Sequence, residues 1–309
     1  MSGTVFDIVL CALILGAALA AVSGRDPFAA VVFFVVYGVF IATAWLRLDA
    51  VNVALAEAAI GAGLTGVLLL GAVGRLARLR ETAPPARAAG PRLLAALAAG
   101  GTTLLLGWVF LTLPEPAGLH AEVGANLAAA GSENAVTAVL LNFRAWDTLL
   151  ESIVLLAALI GIWALSPDAA WGGRPGMTQR TRAGGVLAQF GRVLPPIGLM
   201  VGVYLVWAGT KQPGGAFQGG TVLAAVALLA MMAGRIAPPR VSAPGLRLAL
   251  ILGPAVFLAV GLAALAAGRF LWLPPEHAYA LILGIEAALT VSIAATLALM
   301  VIGPPQEAP

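Results

Sequence analysis

An all-α polytopic membrane protein of about nine transmembrane helices is the fold class this chain predicts, on three observations. Hydrophobic residues fill 61% of its 309 positions and charged residues only 10%, against about 25% charged in globular chains. A soluble fold cannot hide so much apolar side chain, because its surface is dressed with Lys, Glu, Arg and Asp. The apolar residues also fall in stretches of about 20, the length that crosses a hydrocarbon core of about 30 Å. Finally, backbone groups in such a core need internal partners, which excludes a lipid-exposed sheet.

The spans follow in order as Thr4 to Val22, Phe28 to Leu46, Val51 to Val73, Leu93 to Leu113, Thr148 to Leu165, Val193 to Gly209, Gly220 to Gly234, Leu248 to Ala267 and Ala278 to Ile302. The first reads as a span and not as a secretory leader, since Asp7 stands where a leader is basic and more apolar segments follow. The 17 basic residues test the count when each is assigned to the connection it adjoins. One set of alternate connections takes thirteen: Arg25, Arg75, Arg78, Arg80, Arg87, Arg92, Arg174, Arg180, Arg182, Arg192, Arg235, Arg240 and Arg247. The other takes four, Arg47, Arg144, Lys211 and Arg269. An N-terminus outside, a C-terminus inside and an odd number of spans follow. Trp45, Trp108, Trp171, Trp272 and Tyr279 near the ends read as interfacial anchors.

Proline, glycine and arginine divide the chain into residues 1–73 with three spans, 74–165 with two spans and a long outside loop, a cytoplasmic linker at 166–189, and a four-span domain at 190–309. Within the outside loop, the apolar stretch Asn134 to Phe143 reads as a short re-entrant or interfacial element. The formal charge of +3 is spread as single arginines between apolar runs, which excludes a nucleic-acid stripe. Cys11 alone supplies no disulfide or thiolate cluster, and His120 and His277 are too few for a zinc or haem site. No nucleophile with its base and no nucleotide fingerprint stands out, so neither an enzyme nor a cofactor is expected. The glycine-rich loop Lys211 to Gly220 reads as a tight turn or a close backbone approach; it is no phosphate loop, lacking Gly-Lys-Ser/Thr after a strand.

Carboxylates inside a membrane are costly, roughly 2.5 to 3.5 kcal/mol each at a helix centre. Asp7, Glu57, Glu151 and Glu286 lie in odd-numbered spans, all near the same membrane face. Glu57 and Glu286 sit ~9 to 12 Å below the outer edge at 1.5 Å per residue. Glu57 reads either as a proton or sodium relay or as a packing residue, its setting from Ala56 to Gly63 being rich in small residues that allow close helix approach. Glu286, in Gly284-Ile285-Glu286-Ala287-Ala288, has the same character. Arg144, Asp147 and Glu151 share one helical face at spacings of three and four, which suits an ion pair between Arg144 and Asp147 with Glu151 one turn deeper.

Three motifs carry a resemblance to a known family. Asp49 to Gly63, DAVNVALAEAAIGAG, resembles the PDVALTEAAVGAG segment of MbhD and of the MrpA tail, with Glu57 kept and Asn52 in place of the family's Asp. Gly131 to Thr137 and Asn142 to Glu151 resemble the N-x-V and FRGxDTLGE region of MbhE-type subunits, keeping Arg144, Asp147, Thr148 and Glu151. Gly209 to Gly220, GTKQPGGAFQGG, is similar to the GHNxPGGGFxGG loop of MrpB-type (MnhB) subunits, with Lys211 at the Asn position. The chain thus looks like an MrpA C-terminal region, MbhD-like then MbhE-like, fused to an MrpB (MnhB)-like domain.

That resemblance implies a subunit of an Mrp-type multisubunit cation/proton antiporter in a bacterial or archaeal cytoplasmic (inner) membrane. Its partners would be other Mrp-type subunits, including large antiporter-like ones, with Na+ or another monovalent cation and H+ as the ions and no nucleic acid. Glu57, Glu151, Glu286 and Asp147 would line an ion or proton path, supported by Arg144, Asn52 and Lys211. The first half is then similar to the NuoJ-like subunit of respiratory NADH dehydrogenase. Because no lysine lies inside a span, the chain is not expected to exchange ions alone. Two alternatives stay open: a membrane arm of a redox-driven pump, and a structural adaptor. A relay fails when one carboxylate is neutralised, as in Glu57→Gln, whereas an adaptor fails on bulky changes at Gly61 or Gly63.

Overall fold

The computed structural model describes residues 2–24, 26–79, 89–114, 118–176 and 185–307, and these are almost wholly helical. Among the described residues, eight helices are long and apolar enough to cross a membrane, and a ninth apolar helix is shorter. Arg25, Arg80, Arg87, Arg180 and Arg182, used above in the charge count, lie outside the described residues.

Helices α1 (Ser2–Ser23) and α2 (Pro27–Arg47) form a hairpin. Asp26 caps α2, its carboxylate accepting from the backbone N–H groups of Phe28 and Ala29, while Pro27 occupies the first turn, where a missing N–H costs nothing. The third span has three pieces: α3 (Val51–Ala56), a π-helical stretch from Glu57 to Leu64, and α4 (Thr65–Leu79). The Thr65 hydroxyl donates to the Ile60 carbonyl at 2.9 Å, occupying one backbone acceptor in the widened turn. Helix α5 (Ala89–Thr112) stands apart: from Leu93 onward every side chain except Val109 is exposed.

The outside connection carries two short helices, α6 (His120–Asn126) and α7 (Ala135–Ala138), the latter continuing into a π turn, Val139–Phe143. The stretch expected to be a short re-entrant or interfacial element is a broken helix of nine residues, with Thr137, Ala138 and Leu141 buried. Then come α8 (Ala145–Trp163), strand β1 (Arg174–Pro175), α9 (Val186–Ala208), α10 (Ala216–Met232), α11 (Pro244–Ala264), α12 (Ala278–Ile302) and strand β2 (Pro305–Glu307).

The core lies in the second half, where α12 packs on α10, α11 and α8. A helix apolar on all sides is suited to a central position, and Ile282, Ile285, Leu289 and Ile293 of α12 are each 1% exposed or less. Lipid tails are as apolar as leucine, so close packing must hold such helices together. Glycine permits that closeness: a Cβ on Gly253 of α11 would stand 2.8 Å from the Leu289 Cα. Pro254 next to it cannot donate to the Leu250 carbonyl four residues back. The Ser292 hydroxyl of α12 donates to that carbonyl instead, at 2.6 Å, so the proline's vacancy becomes an interhelical bond.

The connections sort to two ends of the bundle. At one end the α2–α3 turn, residues 131–143, the α9–α10 turn and the start of α12 meet. At the other end β1 pairs antiparallel with β2. There the Ser166 hydroxyl donates to the Pro305 carbonyl at 2.8 Å, and the Val241 and Ser242 N–H groups donate to Gly173 and Gly172.

Several boundaries differ from the sequence reading. The third span runs on to Leu79 and the fourth begins at Ala89, so most of the expected connection at residues 74–92 that is described is helical. The sixth begins at Val186, its Pro195 and Pro196 being tolerated inside the helix. The seventh starts at Ala216 and not at Gly220, because only Gly214 and Gly215 form the turn; Gly219 and Gly220 are helical and buried against α9 and α12.

Candidate functional site

Where the first end closes, an asparagine on each side knits the chain. Asn134 caps α7, its side-chain oxygen accepting from the Val136 N–H at 3.1 Å. Its side-chain nitrogen donates to the Gly209 and Gln212 carbonyls, both at 2.9 Å, and its backbone N–H to the Thr210 carbonyl. Thr137 donates to the Gly209 carbonyl at 2.6 Å and Ser132 to that of Thr210 at 2.8 Å. The last carbonyls of a helix lack intrahelical partners; here the turn's own N–H groups answer Leu205, Val206 and Ala208, and residues 132–137 answer the carbonyls of Gly209, Thr210 and Gln212.

Asn52 makes the second link. It stands in the first turn of α3 after Asp49, whose positive φ of 59° turns the chain out of α2. The Asn52 side chain donates to the Asn134 oxygen at 3.3 Å and accepts from the Gly214 N–H at 3.0 Å, while its backbone carbonyl accepts from the Gln218 side chain at 3.2 Å. One residue of the first three-span region thus holds both the outside element and the start of α10.

These links enclose a cavity of about 300 Å³, lined by Asn52, Thr137, Thr148, Glu151, Gln218 and Glu286 together with apolar side chains. Glu286 is 3% exposed. Its carboxylate accepts a hydrogen bond from the backbone N–H of Ala216, the first residue of α10. Exposed N–H groups and the positive end of the helix dipole favour negative charge there. Gly215 permits the approach: its φ is 119°, and a Cβ there would stand 2.9 Å from the Glu286 Oε1. Among the described residues the Oε2 atom has no hydrogen-bond partner. Glu151, in the second turn of α8, is exposed and stands on the cavity's lining beside Thr148, whose hydroxyl donates to the Leu140 carbonyl at 2.7 Å.

Of the candidate residues, the structure therefore brings Asn52, Glu151 and Glu286 together and leaves the others apart. Glu57 opens the π stretch, half-buried, and its carboxylate lies over Gly61 of its own helix, where a Cβ would strike it. Ile60, and not Glu57, reaches the cavity. The close helix approach that the small residues from Ala56 to Gly63 allow falls at Ala62, where a Cβ on Gly38 of α2 would come to 2.9 Å. Asp147 pairs with Arg144 at 2.6 Å on the surface, as the spacing suggests. Lys211 lies 3.7 Å from Glu133 in a second pocket beside the buried Thr210. Asp7 pairs with Arg47 of α2 at 2.8 Å. Sequence reasoning gave no role to Asn134, Thr137 or Gln218, although the asparagine preceding an apolar run is itself a helix-start signal.

Comparison with known proteins bears on this arrangement. Residues 12–78 match the MbhD family model, which describes one of the MBH subunits, and residues 186–303 match MnhB, a domain related to the MnhB subunit of Na+/H+ antiporter. No curated protein matches the chain. Among solved structures, a chain of the Mrp complex from Dietzia sp. DQ12-45-1b superposes with a TM-score of 0.75 at 22% identity, over 97% of this chain and 35% of that one. This protein thus spans about a third of that relative's length. A chain of the membrane-bound sulfane sulfur reductase, an archaeal respiratory membrane complex, superposes with a TM-score of 0.56 at 24% identity, over 70% of this chain and 99% of that one. At such identities the likeness is one of fold. One polypeptide thus joins a region similar to MbhD and a domain related to MnhB, in a fold shared with a chain of an Mrp complex.

Proposed function

We propose that this chain lends carboxylates to an ion or proton path in a cation/proton antiporter, the path being completed by large antiporter-like subunits of the same complex. The observation that carries the reading is the placement of Glu286, a buried carboxylate with one free oxygen, and Glu151, an exposed one, on one cavity. A group that loads at an exposed acid and passes charge to a buried one needs such a pair, and an acid buried inside a membrane protein is a functional-site hypothesis by default. Asn52 positions the α10 start against Glu286. Glu57 and Asp147 belong to the path only if a partner subunit extends it beyond the cavity, and Lys211 and Arg144 hold acids at the same end. The arginine-rich end, with Arg75, Arg174, Arg235, Arg240 and Arg247, faces the cytoplasm in this reading, and the cavity end faces out. The membrane is the cytoplasmic membrane of a bacterium or archaeon, and the exchanged cation is Na+ or another monovalent ion.

Purification of the tagged full chain in mild detergent, with mass spectrometry of what accompanies it, tests the setting. Large antiporter-like subunits without redox proteins are expected. The likeness to a sulfane sulfur reductase chain supports a second reading, the membrane arm of a redox-driven pump; iron–sulfur subunits in the same preparation would replace the first reading with that one.

A further inference from the structure

The cavity has walls that an ion path does not need. Val53, Ile60, Leu140, Phe217 and Leu289 line it, and its volume of about 300 Å³ falls at the lower end of pockets that take small molecules. Among the described residues that line it, the charged side chains are Glu151 and Glu286, both acids. Glu286 is 97% buried and keeps its Oε2 without a donor while Ala216 serves the carboxylate from α10. Two neutral acceptors stand on the same lining. Thr148 spends its proton on the Leu140 carbonyl and Gln218 spends an N–H on Asn52, leaving the Thr148 Oγ lone pairs and the Gln218 Oε1 as acceptors. A metal ion or a proton has no use for aliphatic and aromatic walls, and an anion would meet two acids.

We propose that this cavity binds a small protonated amine, its ammonium donating to Glu286 and its apolar body lying against Leu140 and Phe217. An ammonium group has three donors and no acceptor, which matches a lining that offers acceptors and a negative charge. The exposed Glu151 at the lining gives the cation an attractive entry. The proposal shares Glu286 with the ion path but does not depend on conduction.

The test is equilibrium binding of radiolabelled benzylamine, and of its neutral counterpart benzyl alcohol, to the full chain in lipid nanodiscs. Saturable amine binding is expected, with the alcohol weaker by about tenfold or more, the loss of one charge-assisted hydrogen bond. Glu286→Gln should bring the amine down to the level of the alcohol. Leu140→Trp, which fills the cavity and leaves the charge, should remove both, while Leu111→Trp on the exposed α5 should leave both unchanged. Equal binding of amine and alcohol by the native chain would overturn the proposal, as would amine binding that survives Leu140→Trp. If the Gln variant does not fold, the tryptophan pair decides alone. Transport by the assembled complex is read separately: amine binding in a chain whose Glu286→Gln form still transports would retain this site and discard the path.

Discussion

Glu286 and Asn134 show two ways in which a polar side chain is kept inside an apolar bundle. Asn134 uses both ends of its amide, capping α7 with its oxygen and answering two carbonyls beyond α9 with its nitrogen. Asn134→Ala removes the cap and the donor to the Gln212 carbonyl, while Gly209 keeps Thr137, and a loss of about 2 to 4 kcal/mol is expected from the cap and the orphaned carbonyl together. A fall in the detergent melting midpoint would register it, and an unchanged midpoint would contradict the knitting role. Glu286 is only half answered, by Ala216, and its free oxygen faces work that the fold itself does not use. The pair of Asp7 and Arg47 is different in kind. Its groups are 45% and 49% exposed, and Asp7→Asn should cost no more than about 1 kcal/mol. The acids, Asn52 at the motif position where the family has Asp, and their depth along each helix were legible in the sequence, because a polar residue in an apolar run is conspicuous. Which way each points around its helix was not. The side chain of Glu57 turns back over Gly61, whereas those of Glu151 and Glu286 turn to one cavity.

At the scale of elements, small residues and prolines set the approach of helices. Gly253 leaves room for Leu289 and Pro254 leaves a carbonyl for Ser292, so a single step of α11 makes both the packing and the polar contact with α12. Gly253→Leu should lower the yield of folded protein sharply, since the Leu289 backbone cannot give way. Ser292→Ala should cost about 1 to 3 kcal/mol by orphaning a buried carbonyl. Folded yield on size-exclusion chromatography and the melting midpoint check these, and a native-like Gly253→Leu would contradict the close crossing. Most spans were legible within a few residues from apolar length alone. The start of α10 was not, because Gly214, Gly215, Gly219 and Gly220 look alike in sequence; only the first two turn the chain, and the others lie in the helix against Val206 and Ile293. Residues 134–143 were legible as something short and apolar, but the π turn at Val139–Phe143 leaves no periodic signature.

Across the whole molecule, the region matched by MbhD and the MnhB-related domain meet at Asn52, Gly214 and Gln218. The cavity sits at that seam. Its walls come from α3, the α7 element, α8, α10 and α12, so no one region would form it alone. At the far end β2 ties the last residues to the connection between α8 and α9. Motif order made this joining legible in the sequence, but not the seam, since contacts 162 and 166 residues apart in the chain leave no local trace. The proposed path carries charge across the seam through Glu286. The most direct measurement is cation-driven dissipation of a pH gradient in vesicles containing the assembled complex with Glu286→Gln. Assembly at the native level with coupled exchange reduced by about a hundredfold is the expected result, the scale on which a positioned proton-transfer group acts. Native exchange rates from a fully assembled Glu286→Gln complex would contradict it.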